Sequence, residues 1–168
     1  INSYYGNCTP AWYEGERWRG PEGGSEAPPI PSFMDPRFWE HYGGMCTRIA
    51  ALCRGGDVAY NAFIGVHAEL KWSEWWSYDP STLAVWREAL RKKPRPAWLR
   101  DVAGDAELPK TPPAPGPTDG VADTDPVNRA WIAFRERCWR EAMDRFAEVL
   151  RAGDPDAIVS SPLGESYR

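Results

Sequence analysis

Two glutamates and a group of three tryptophans carry the chemistry that stands out in this chain. Glu69 follows the short apolar run at 62–66, and Glu165 follows a second such run at 157–159. A pair of carboxyl groups is what cleavage of a glycosidic bond requires. One protonates the leaving oxygen; the other attacks the anomeric carbon or activates water, with separations of ~5 to 5.5 Å for retention and ~6.5 to 9.5 Å for inversion. Glu69 is the better acid, because Trp72, Trp75 and Trp76 follow within one loop of it. A partly apolar indole wall disfavours ionisation and lifts a carboxyl group towards the working range of a general acid. The same flat faces suit the apolar side of a pyranose ring while polar groups take its hydroxyls. His67 is read as an orienting or packed residue. His41 is the only other histidine, no ligand spacing links the two, and no metal site is expected. The plainer readings stand beside these: tryptophans that pack, and glutamates that are merely solvated beyond a strand.

The elements that must position these residues follow from capping signals and periodicity. Asp35-Pro36, Asp79-Pro80 and Asp125-Pro126 each pair an N-cap acceptor with a proline at the first helical position. After the first come Phe38, Tyr42, Met45, Ile49 and Leu52, the apolar stripe of a helix that Arg54-Gly55-Gly56 ends. After the second come Leu83, Trp86 and Leu90, in a helix that Pro94 closes. After the third come Trp131, Phe134, Cys138, Ala142, Phe146 and Val149, with Gly153 at the C-terminal cap position. The runs at 62–66 and 157–159 read as short strands buried on both faces. Joined through helices, such strands must be parallel with a right-handed crossover, so the expected fold class is α/β. The chain divides into a loop at 1–34, helix, strand and helix at 35–93, a long loop at 94–125 with at most a helical turn near Trp98-Leu99, and helix and strand at 126–168, all within one unit.

Composition narrows the partners. With 168 residues, 42% hydrophobic and 26% charged, the chain has enough apolar material for one core. A net charge of -4 with interspersed basic residues argues against nucleic acid, and no apolar run approaches the ~20 residues of a membrane helix. Cys8, Cys46, Cys53 and Cys138 lack CxxC spacing and read as reduced thiols. There is no phosphate loop, nucleophile elbow or dinucleotide fingerprint, and no cofactor is expected. Ten tryptophans exceed what a core of this size needs.

Several stretches resemble the catalytic domain of glycoside hydrolase family 42, the β-galactosidases. Phe63-Ile64-Gly65-Val66-His67-Ala68-Glu69 is similar to that clan's fourth strand, which ends in the acid/base glutamate. Tyr78-Asp79-Pro80-Ser81-Thr82 and the helix from Trp86 to Lys93 are similar to the segment that follows. Phe134 through Phe146, Leu150-Arg151-Ala152 and Asp154-Pro155-Asp156 resemble the helix leading into the fifth strand, at 158–161. The resemblance spans roughly residues 35–161 and implies an internal piece of a TIM (β/α) barrel, about strands three to five. It implies Glu69 as the catalytic acid/base and a nucleophile beyond Arg168, beside which the residue reading sets a sugar site drawn from His67, Trp72, Trp75, Trp76 and Glu165. Ala68 stands where the clan usually has asparagine, which removes a side chain that would bind the sugar's 2-hydroxyl.

The expected partners are therefore a carbohydrate substrate and the remainder of the chain's own barrel, with a homo-oligomer of the parent protein as a further option. The piece alone is expected to be inactive. With no signal peptide visible, a cytoplasmic setting is favoured. A noncatalytic sugar-binding or degenerate barrel, for which Ala68 argues, is the main alternative; a tryptophan-rich protein-interaction domain is another.

Overall fold

The computed structural model describes residues 12–17, 19–20, 31–56, 59–61, 78–112 and 125–160. Helices dominate it. The first, α1, runs without a break through Pro36–Phe38, a π-helical turn at Trp39–Gly43, and Gly44–Cys53. Then come α2 (Pro80–Arg91), α3 (Ala97–Ala103) and α4 (Pro126–Gly153). Strands β1 (Ala59–Asn61) and β2 (Ile158–Ser160) pair in parallel, with Asn61 opposite Ser160.

All three Asp-Pro signals begin helices. Asp35, Asp79 and Asp125 sit in extended backbone, each side-chain oxygen accepting an amide of the first turn, with proline next. The core is aromatic and centred on α4. Trp86 of α2 meets Trp131 edge-on at 5.4 Å and Phe134 at 5.2 Å, while Trp131 and Phe134 stack at 5.1 Å. Farther along α4, Phe146 meets Trp39 at 6.1 Å and Tyr42 at 5.8 Å. Much of the tryptophan surplus is thus core, since Trp39, Trp86 and Trp131 are all buried. The 94–125 stretch also contributes. Leu99 of α3 is fully buried, and Trp98 lies 6.3 Å from Phe134.

The α/β partial barrel expected from the sequence is overturned. Among the described residues, helices pack chiefly on one another, and each strand pairs over only three positions. A barrel strand is covered on both faces, whereas Ile158 is 69% exposed. The reason lies in the pattern itself. An apolar helical stripe demands a partner surface but does not say whether that surface is a sheet or another helix. The expected strand at 62–66 lies outside the described residues, and the observed β1 ends just before it.

The stripe on α1 is corrected too. Ile49 and Leu52, expected in the core, are 39% and 86% exposed, whereas Cys46 and Ala50 are buried. A π turn closes its hydrogen bonds one residue later than an α turn, so every core position after Trp39–Gly43 falls one residue later than a strict α period places it. Gly153 likewise is not a left-handed cap, because only Gly55 and Gly104 have positive φ among the described residues. Its role is close approach. A Cβ there would lie 2.1 Å from the Thr47 carbonyl oxygen and 2.8 Å from the Ala51 amide. Beside this contact the Thr47 hydroxyl donates to the Val149 carbonyl at 2.7 Å.

Gly153→Ala is therefore expected to destabilise the fold by about 1–3 kcal/mol, because the obstruction is backbone and cannot swing aside. Gly43→Ala meets a Val149 methyl at 3.3 Å and Trp39 atoms at ordinary contact distance, and should shift stability by no more than about 1 kcal/mol. Urea unfolding midpoints of the two variants check the difference.

Candidate functional site

The residues singled out for chemistry, His67, Glu69, Trp72, Trp75, Trp76 and Glu165, all lie outside the described residues. What the structure does describe is how the segments carrying them are held. Residues 62–77 leave directly from β1 and return at Tyr78, and residues 161–168 leave directly from β2.

At the return point is a carboxylate hub. Asp79 is fully buried. Its Oδ1 accepts the Thr82 amide at 3.0 Å; its Oδ2 accepts the Thr82 hydroxyl at 2.6 Å and the Ser32 hydroxyl at 3.0 Å. A buried carboxylate is costly unless its lone pairs are satisfied, and a helix N-terminus supplies both donors and a favourable dipole. Asp79 thus joins the start of α2 to the loop before α1.

Asp35, capping α1, is the second node. It accepts the Arg37 amide at 3.0 Å and the Glu16 amide at 2.5 Å, and the Arg37 guanidinium pairs with it at 3.0 Å. Burial by itself raises the Asp35 carboxyl, but the Arg37 guanidinium and the two amides outweigh it and hold the group below its ordinary value. Arg37 also donates to the Glu14 carbonyl at 2.9 Å.

Glu16 is the third node. Its carbonyl accepts the Ser32 amide at 2.8 Å, and its Oε2 accepts the Ser81 amide of α2 at 2.8 Å. Burial and a hydrogen bond shared with the Asp79 carboxyl push Glu16 above its ordinary value. Close by, the Arg19 carbonyl accepts the Tyr78 amide at 2.9 Å. Tyr78 is itself buried, its hydroxyl raised by that burial, and its ring lies 5.5 Å from that of Trp131.

The hub is chiefly a positioning device. Its carboxylates face helix amides and hydroxyls, and they set where the 62–77 segment re-enters the fold. Sequence reasoning identified Asp35 and Asp79 as caps but missed Glu16 and Ser32, whose partners lie far along the chain. Only Thr82, three residues after Asp79, carries a local signal of a capping turn. Among the described residues no group of histidine, cysteine or carboxylate side chains could hold a metal ion. Cys46 and Cys138 are buried free thiols, and burial raises both. No helix of the described residues is long and apolar enough to cross a membrane.

Compared with protein-family models, curated proteins and solved structures, the chain gives no match. The resemblance to family 42 therefore rests on the residues that carry it.

Asp79→Ala should destabilise the chain by about 2–4 kcal/mol, since a helix cap is lost and two buried hydroxyls lose their acceptor. Asp125→Ala removes only an exposed cap, whose oxygen accepts the Val127 amide at 3.0 Å, and should cost about 1 kcal/mol. Thermal unfolding of both variants tests this ordering.

Proposed function

We propose that this chain is part of a glycoside hydrolase acting on β-linked galactosides or related sugars. Glu69 is the general acid/base. Trp72, Trp75 and Trp76, with His67 and Glu165, form the sugar site. The observation that carries this reading is the parallel ladder. Asn61 and Ser160 are register partners in strands that run in the same direction. Adjacent strands lie ~4.8 Å apart, so the segments bearing Glu69 and Glu165 start from neighbouring points at one end of the pair. Functional groups of parallel strands gather at that end because the loops there converge. The anchoring of Tyr78 and Asp79 closes the Glu69 segment at its far side and supports the same reading.

On this proposal Glu69 gives its proton to the leaving oxygen as the glycosidic bond breaks, then takes a proton from the water that completes hydrolysis. A second carboxylate attacks the anomeric carbon as that bond breaks, as a retaining mechanism requires. Indole faces hold the ring's apolar side and exclude water around the acid.

Ala68 favours a second reading, a sugar-binding protein without hydrolytic activity, because it removes a polar contact to the substrate beside the acid. One experiment separates the two. Glu69→Gln, made in the protein that carries this chain, should lower turnover of β-galactosides with poor leaving groups by about 10²–10⁴-fold, and affect activated aryl substrates far less. Unchanged hydrolysis rejects Glu69 as the acid. Saturable sugar quenching of tryptophan fluorescence, with no hydrolysis by the unsubstituted protein, supports the binding-only reading.

A further inference from the structure

We infer that the arm of residues 12–17 and 19–20 is a releasable strap across the starts of α1 and α2, and that Tyr13 sets its release: the ring anchors the arm while the hydroxyl weakens its hold. This inference is independent of the sugar reading. Tyr13 is buried. Its ring stands edge-on to His41 of the π turn at 6.2 Å, and Trp12 beside it meets the same imidazole at 5.3 Å. The arm's other ties are hydrogen bonds. Arg37 donates to the Glu14 carbonyl at 2.9 Å, and the Glu16 amide donates to Asp35 at 2.5 Å. The Ser32 amide reaches the Glu16 carbonyl at 2.8 Å, the Ser81 amide reaches Glu16 Oε2 at 2.8 Å, and the Tyr78 amide reaches the Arg19 carbonyl at 2.9 Å.

The Tyr13 hydroxyl is the exception to this pairing. It is buried and has no hydrogen-bond partner among the described residues. It lies against Gly15 of its own arm, so closely that a Cβ on Gly15 would fall on the Tyr13 ζ-carbon and hydroxyl. Burial first, and then Asp35, push this hydroxyl up to about 12, so through the acidic and neutral range it stays an O–H that needs an acceptor.

Release changes these contributions unequally. An amide that leaves its acceptor on the arm finds water instead, so each tie contributes only the small difference between a protein and a water partner. A buried hydroxyl without an acceptor carries its full desolvation cost, and release removes it. What opposes release is the apolar area of the Tyr13 ring together with the summed ties. The strap therefore opens as a unit of its own, at lower free energy than the aromatic core along α4. Its opening frees the Ser32, Tyr78 and Ser81 amides together, because the acceptor of each is on the arm. Tyr78 is also where the 62–77 segment returns, so the strap governs how firmly that end is held.

The test is native-state hydrogen exchange of the whole chain at a single pH. The Glu16, Ser32, Tyr78 and Ser81 amides should exchange as one group, faster than amides inside α4 such as those of Phe134 and Cys138. Tyr13→Phe keeps the ring and removes the unpaired hydroxyl, and should slow the group by about fivefold or more without changing α4. Gly15→Ala, whose methyl displaces the ring from its seat, should speed the group. Four amides that exchange no faster than α4 overturn the strap. Exchange that is unchanged or faster in Y13F, or a Y13F chain that does not fold, shows that the hydroxyl holds the arm and overturns its role in release. Should Gly15→Ala fail to fold, Y13F alone decides.

Discussion

A carboxylate taken out of water must find its hydrogen-bond donors inside the protein, and Asp79 finds them both in its own helix and in a segment far away in sequence. The first turn of α2 supplies an amide and a hydroxyl and the loop before α1 supplies Ser32, while the N-terminal arm meets the same helix start through Glu16, which accepts the Ser81 amide. Because donors from segments far apart in sequence converge on one buried group, its satisfaction fixes their mutual placement. The entry of α2 into the core, and with it the seating of Trp86 against Trp131 and Phe134, follows from where that helix begins.

The aromatic core explains why α4 is the spine. Trp131 and Phe134 sit one turn apart on α4 and receive Trp86 from α2 and Trp98 from α3, while Phe146 receives Trp39 and Tyr42 from α1. Large planar side chains bury much area with few rotatable bonds. Where α1 crosses α4, glycine replaces bulk, and Gly153 lets the two backbones meet. The functional proposal sits at the edge of this framework, on segments that leave from β1 and β2 and, in one case, return to the hub.

Helix positions were legible because their signals are local. An aspartate followed by proline can cap a helix using only neighbours in the chain, and Asp35, Asp79 and Asp125 do so, whereas Asp154, also followed by proline, ends α4. The core face of α4 was legible from Trp131 to Phe146 because that helix keeps one period throughout. On α1 the same reasoning failed after Tyr42, since a single π turn moves the buried face by one residue, and local sequence does not announce it. Among the hub residues, Asp35 and Asp79 were visible as caps, whereas Glu16 and Ser32 carry no pattern at all, because their partners are distant in sequence.

By itself the sequence determined where the three helices capped by Asp35, Asp79 and Asp125 start, though not α3, which lies in a stretch expected to be loop, and also which residues of α4 face inward and that a glutamate and three tryptophans share one stretch of chain. Only the tertiary structure decided what the apolar faces meet, other helices rather than a broad sheet, and that Gly153 serves contact instead of capping. It alone also brought Glu16 to Asp79 and set Asn61 beside Ser160. The difference is physical: capping and periodicity are settled within a few residues by hydrogen bonds and sterics along the chain, whereas the choice of packing partner depends on all segments competing for the same buried space.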